Sequence, residues 1–222
     1  MNTITTPALA RTDATQASGG IQPATTEDRL LTASGARVAG FAITALALTH
    51  VALFGGFVGD WDSPTARMLV EIAGYALQLA IIGVLLVMWR TRAVGDGNGW
   101  RLTGATVTAL AVAAIASGVV HQLLPDSAVA LNVTNALMLC TLAGFYVLAI
   151  GVVSERRWRG FLRFVPMLAS SWGPVVVFVI VLGGEEASWW AFILYLSAGV
   201  LVSGLTLAAR PDLAVTPAAV QQ

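Results

Sequence analysis

The chain contains no lysine: all twelve of its basic residues are arginine. That absence excludes a retinal Schiff base and any lysine nucleophile. Cys140 is the only cysteine, so there is neither a disulfide framework nor a cysteine-rich metal cluster. Charged residues make up only 11% of the chain, and acids and arginines balance at twelve each. A nucleic-acid partner, which calls for a basic surface, is therefore not expected. Gly95, Gly97 and Gly99 stand in a short connection with no strand before it, so no phosphate-binding turn is indicated. The first thirty-odd residues are rich in Thr, Ala, Gln and Gly and lack the apolar run of a signal peptide. Residues 1–35 are read as a disordered tail on the cytoplasmic side.

What is present is apolar: 57% hydrophobic residues and a mean hydropathy of +0.78 describe a polytopic membrane protein. Spanning a bilayer core takes roughly 20 helical residues. Six stretches meet that length, near 38–58, 66–89, 102–124, 128–152, 161–183 and 188–208. The expectation is an all-α bundle of six transmembrane helices over residues 36–209, with 210–222 as a second short cytoplasmic tail. Ser63-Pro64 after Asp62, Ser127 after Pro125-Asp126, and Gly183-Gly184 supply the caps and stops of tight hairpins.

Arginine placement predicts orientation. Arg90, Arg92 and Arg101 flank the second connection, and Arg156, Arg157, Arg159 and Arg163 the fourth. Connections one, three and five carry Asp60, Asp62, Asp126, Glu185 and Glu186 against Arg67 alone. The positive-inside rule then places both termini in the cytoplasm, in a cell membrane. Trp61, Trp89, Trp100, Trp158, Trp189 and Trp190 fall at predicted helix ends, where amphipathic rings favour the headgroup level, and Trp172 alone falls mid-membrane.

Polar residues inside these stretches are few. Glu71 is the one acid within a long apolar run, and intramembrane acids are costly enough to have a partner or a task. At 1.5 Å per residue, Glu71 lies about 8 Å below the outer boundary, His50 about 12 Å, His121 about 5 Å, Asn132 about 7 Å and Asn135 about 11 Å. These depths predict an outer-half polar pocket. Glu71, Tyr75 and Gln78 share one helical face at i, i+4 and i+7. Asn132 and Asn135 share another with Tyr146, and as intramembrane amides they serve equally well as interhelical glue. The four-residue ladder Ala105, Ala109, Ala113, Ser117 and His121 suggests that the third helix is central and that His121 faces inward. Pro166, Pro174, Ser170 and Ser171 suggest a kinked fifth helix.

Three classes of function stay open. In the first, Glu71, kept protonated by desolvation, acts as a general acid on a lipidic substrate, with Tyr75, His50 and His121 as catalytic candidates. Tyr75, Trp172, Tyr146, Phe145 and Tyr195 offer π faces to a developing cation, and Gln78, Asn132 and Asn135 complete the substrate-binding candidates. In the second, His50 and His121 ligate a metal or haem with Glu71 beside them. In the third, the chain is a transporter or a non-catalytic subunit. With Glu71 in helix two as its anchor, the membrane part loosely resembles the small integral-membrane terpene cyclases of fungal meroterpenoid and bacterial indole-sesquiterpenoid pathways. That resemblance implies an isoprenoid substrate, cyclisation begun by protonation of an epoxide or alkene, and no cofactor or metal. The family has seven helices and a second acid near the last one, whereas six stretches are counted here and the nearest acids, Glu185 and Glu186, lie in a connection.

Overall fold

A computed structural model describes residues 31–57, 63–124, 127–171 and 195–215. The expected N-terminal tail up to residue 30, Trp172, Pro174, the Gly183-Gly184 stop, Glu185, Glu186 and the last seven residues lie outside the described residues, as do Trp61, Trp189 and Trp190. Every described element is helical. Four long helices come first: α1 (Ala33–Phe57), α2 (Pro64–Arg90), α3 (Asn98–Leu123) and α4 (Ala128–Glu155). All four are long and apolar enough to cross a membrane, each being about 40 Å long against a hydrocarbon core of about 30 Å. A 3-10 turn (Gly160–Phe164), a short α5 (Val165–Ser170), a helix α6 (Tyr195–Ala209) and a final 3-10 turn (Pro211–Leu213) follow.

The helix starts follow local chemistry. Ser63 and Ser127 accept from the amides of Ala66 and Ala130, three residues on, at 3.3 Å and 3.2 Å. Pro64 then occupies the first turn of α2, where a missing N–H costs nothing. Pro166 likewise lies in the first turn of α5. Of the kinked helix expected over 161–183, only the part up to Ser171 is described, and it is a 3-10 turn followed by six α-helical residues, with no kink at Pro166 inside a helix. Proline starts the helix here, and the hydroxyls of Ser170 and Ser171 donate back to the carbonyls of Pro166 and Leu168 where it ends.

α1 packs along α2 and α3 along α4. Among the described residues α2 is the most buried of the long helices, with half of its apolar window covered (50%) against 22% for α3. The centrality expected for α3 does not hold among the described residues, and helix geometry explains why. A strict spacing of four drifts about 40° per step, because 3.6 residues complete a turn. From Ala105 to His121 that drift sweeps nearly half the circumference. The face that is buried is instead Val107, Ala111, Ala114 and Gly118, which follows the 3.6 period, while Ala105 and Ala109 are exposed.

Where α1 meets α6 the backbones touch. A β-carbon on Gly40 would lie 2.4 Å from the Ala208 nitrogen and 2.7 Å from the Gly204 carbonyl oxygen. One on Gly204 would lie 2.6 Å from Thr44 Oγ1. This small-residue crossing permits the close approach on which helix association in lipid depends.

The two arginine-rich connections meet at one end of the bundle. Arg157 pairs with Asp96 at 2.6 Å and Arg92 pairs with the same carboxylate at 3.0 Å. The Trp158 indole donates to Thr91 Oγ1 at 2.9 Å, and the Arg159 amide donates to the Leu213 carbonyl at 2.8 Å. Trp158, expected at the headgroup level, is wholly buried in protein (0% exposed), whereas Trp89 is 46% exposed as an interfacial ring would be.

Candidate functional site

Glu71 and Tyr75 lie one turn apart on α2, facing the last turns of α3. There Gln122 Nε2 donates to Glu71 Oε2 and, at 3.3 Å, to the Tyr75 hydroxyl. Tyr75 fits because Gly118 has no side chain: a β-carbon there would stand 2.9 Å from Tyr75 Cε1. Glu71 and Tyr75 on α2 thus interlock with Gly118 and Gln122, also four apart, on α3. Glu71 and Gln122 are exposed on the bundle, and Tyr75 is half-buried. Within a bilayer this places a hydrogen-bonded carboxyl at the flank of the bundle, toward the end away from most of the arginines.

Gln122 was not among the candidates read from sequence. Its neighbour His121 drew attention, yet consecutive helical residues point about 100° apart. The useful signal was Gly118 four residues earlier, a gap that admits a large side chain from the facing helix.

A second polar group lies deeper. His50 is buried, and its Nδ1 lies 2.8 Å from the Ala73 carbonyl. A carbonyl only accepts, so Nδ1 carries a proton, and in the neutral ring Nε2 then keeps its lone pair. Nε2 is buried without a hydrogen-bond partner among the described residues, and so is Gln78 Oε1. Both side chains line a cavity of about 180 Å³ between α1, α2, α3, α4 and α6. Its wall is otherwise almost wholly apolar, with Phe54, Val70, Leu77, Ile81, Met138 and Leu196 prominent. Thr141 also lines it, but its hydroxyl donates to the Leu137 carbonyl in its own helix.

Helical phase relates the two groups. Glu71 and Gln78 are seven residues apart on α2, so they share an azimuth to within about 20° and lie about 10 Å apart along the axis. Gly74 stands between them; it lines the cavity, and a β-carbon there would meet nothing within 4 Å. Glu71 therefore heads a stripe that continues through Gly74 and Gln78 into the cavity.

The remaining candidates are dispersed. His121 is half-buried, with Nδ1 lacking a partner among the described residues, and it does not line the cavity. Asn132 and Asn135 are exposed on α4, Tyr146 is half-buried, and the Tyr195 hydroxyl lies 3.2 Å from Ser171 Oγ. The outer-half polar pocket expected from depth alone is thus resolved into two groups, because equal depth does not imply a shared face. Among the described residues, no three His, Cys, Asp or Glu side chains converge as metal ligands. No family model, curated protein or solved structure matches the chain.

Proposed function

We propose that this is a six-helix integral membrane enzyme, with both termini cytoplasmic, that acts on a hydrophobic isoprenoid-type molecule by protonation from Glu71. The observation that carries this reading is the α2 stripe, in which a hydrogen-bonded carboxyl leads through an open glycine position into an apolar cavity. The meeting of the arginine-rich connections at one end supports the orientation.

The division of labour follows from the geometry. A cavity of roughly 150 Å³ admits a benzene-sized guest, so this one takes a ring or an isoprene unit, with the rest of a long chain lying along the lipid-facing flank. Glu71 is the proton donor, and Gln122, an amide that cannot itself titrate, orients the carboxyl and the Tyr75 hydroxyl together. Tyr75 and Phe54 present π faces to a cation formed at the cavity mouth. His50 and Gln78 offer acceptors to a polar substituent on the guest.

The test is turnover of isoprenoid epoxides and alkenes by the full chain in nanodiscs. Glu71→Gln is expected to lower the rate by roughly 10²–10⁴, the scale of a lost general acid, without loss of folded protein. Gly74→Phe, which fills the mouth where nothing lies within 4 Å, is expected to lower kcat/KM while the acid remains. Undiminished turnover by Glu71→Gln, or no consumption of any such substrate by the wild-type chain, removes the reading.

A further inference from the structure

A second cavity, of about 520 Å³, opens at the arginine-rich end, formed by the end of α2, the 91–97 connection, the start of α3 and the inner part of α4. Arg90, Arg92 and Arg101 line it beside a single carboxylate, Asp96. That carboxylate is already matched. It pairs with both Arg157 and Arg92, and the Arg157 hydrogen bond holds its pKa below the usual range, so it is charged at neutral pH. The Glu155 carboxyl also lies close by, against Gly95, where a β-carbon would stand 3.0 Å from its Cδ. Arg90 and Arg101, by contrast, make no ion pair or side-chain hydrogen bond among the described residues. Two guanidinium groups thus flank one cavity without an ion pair among the described residues.

The position of Arg101 adds to this. It lies in the first turn of α3, whose N-cap Gly97 makes no side-chain capping bond and whose first turn has no acid. A cation at a helix N-terminus opposes the macrodipole, and an anion bound there relieves that opposition while meeting the uncapped amides. The other half of the cavity is apolar: Leu85, Met88 and Leu148 form its floor, each only 2% exposed, and the Trp89 and Trp100 rings supply the accessible apolar surface above them. Leu85 is five residues before Arg90, about 7.5 Å deeper along the helix. The cavity therefore has a cationic rim at the interface and an apolar recess toward the hydrocarbon, lined by the Trp89 and Trp100 rings.

We propose that this cavity binds an anionic phospholipid, its phosphate held between Arg90 and Arg101 and the first carbons of an acyl chain laid against the Trp89 and Trp100 rings. Guanidinium pairs suit phosphate oxygens because the planar fork donates two parallel hydrogen bonds. The apolar recess is what distinguishes a lipid from a soluble phosphate. This site is at the opposite end of the bundle from Glu71 and does not rest on the enzymatic reading.

The experiment is a lipid titration of the delipidated full chain in detergent, followed by native mass spectrometry, with phosphatidylglycerol, phosphatidylcholine and inorganic diphosphate as separate probes. Phosphatidylglycerol is expected to bind at least roughly tenfold more tightly than phosphatidylcholine. The double change Arg90→Gln, Arg101→Gln is expected to weaken it by roughly thirtyfold, at about a fivefold loss per basic residue. Arg67→Gln, near the start of α2, is expected to leave binding unchanged. Gly104→Phe keeps every charge and fills the cavity from a position where a β-carbon meets nothing within 4 Å; it is expected to weaken binding at least as much, and it tests the site should the arginine variant not fold. Equal binding of the two lipids, unaltered affinity in either cavity variant, or diphosphate bound as tightly as phosphatidylglycerol would overturn the proposal.

Discussion

Trp158→Ala is expected to destabilise the folded chain by about 3–5 kcal/mol, the cost of removing a large aromatic side chain from a packed interior. Trp158 is the largest wholly buried side chain among the described residues. Its indole N–H donates to Thr91 Oγ1 at 2.9 Å while the Thr91 hydroxyl donates to the Val87 carbonyl at 2.8 Å. The ring thus joins the end of α2 to the connection after α4 by packing and by a hydrogen-bond relay. Trp158→Phe separates the two contributions: it keeps most of the ring and loses the N–H, and Thr91 still has Val87 as its acceptor. Its cost is expected to be about 1–3 kcal/mol, from the lost bond and the smaller ring. Thermal unfolding in detergent, followed by near-UV circular dichroism, reads both changes. An alanine variant that melts with the wild type would show that this end of the bundle is held by something else.

Gly40→Ala carries the second large effect. The new methyl group would meet backbone, at 2.4 Å from the Ala208 nitrogen, so no side-chain rotation can relieve it. The helices must part, at an expected cost of about 1–3 kcal/mol. Gly56→Ala on the same helix, where a β-carbon meets nothing within 4 Å, is the matched control and should be neutral or slightly stabilising. Gly204→Ala faces Gly40 across the same crossing. Once the helices have parted for one methyl group the second costs less, so the double variant should lose less than the sum of the singles. Additive losses would mean that the two glycines do not share a contact.

What the sequence made legible was extent along the membrane normal. The second and fourth apolar stretches, expected near 66–89 and 128–152, became Pro64–Arg90 and Ala128–Glu155, and the serine caps lie where their neighbours implied. The third helix starts four residues earlier than expected because Gly97 and Gly99, read as loop, are instead its N-cap and its second residue. Azimuth was much less legible. Hydropathy reports how deep a residue lies but not which neighbour it faces, so Glu71, His50, His121 and the two asparagines were gathered by depth into a single pocket. The alanine ladder on α3 misled for a related reason, since a period of four drifts off any one face. The close crossing between Gly40 and Gly204 joins helices far apart in the chain, and neither glycine is marked by its immediate neighbours. Gln122 became visible only when Gly118 was seen to hold the Tyr75 ring.

The bond from the Arg159 amide to the Leu213 carbonyl has a consequence in time. Leu213 follows α6 in the chain, and Ala214 and Val215 beyond it are buried. The arginine-rich end therefore cannot close when its own connections are made. Asp96 can meet Arg157 once α4 is in place, but the Arg159 amide waits for a carbonyl 54 residues later in the sequence. Until α6 has joined α1 through Gly204 and Gly40, this end of the bundle stays unsealed, and the order of synthesis places its sealing after α6 has been made.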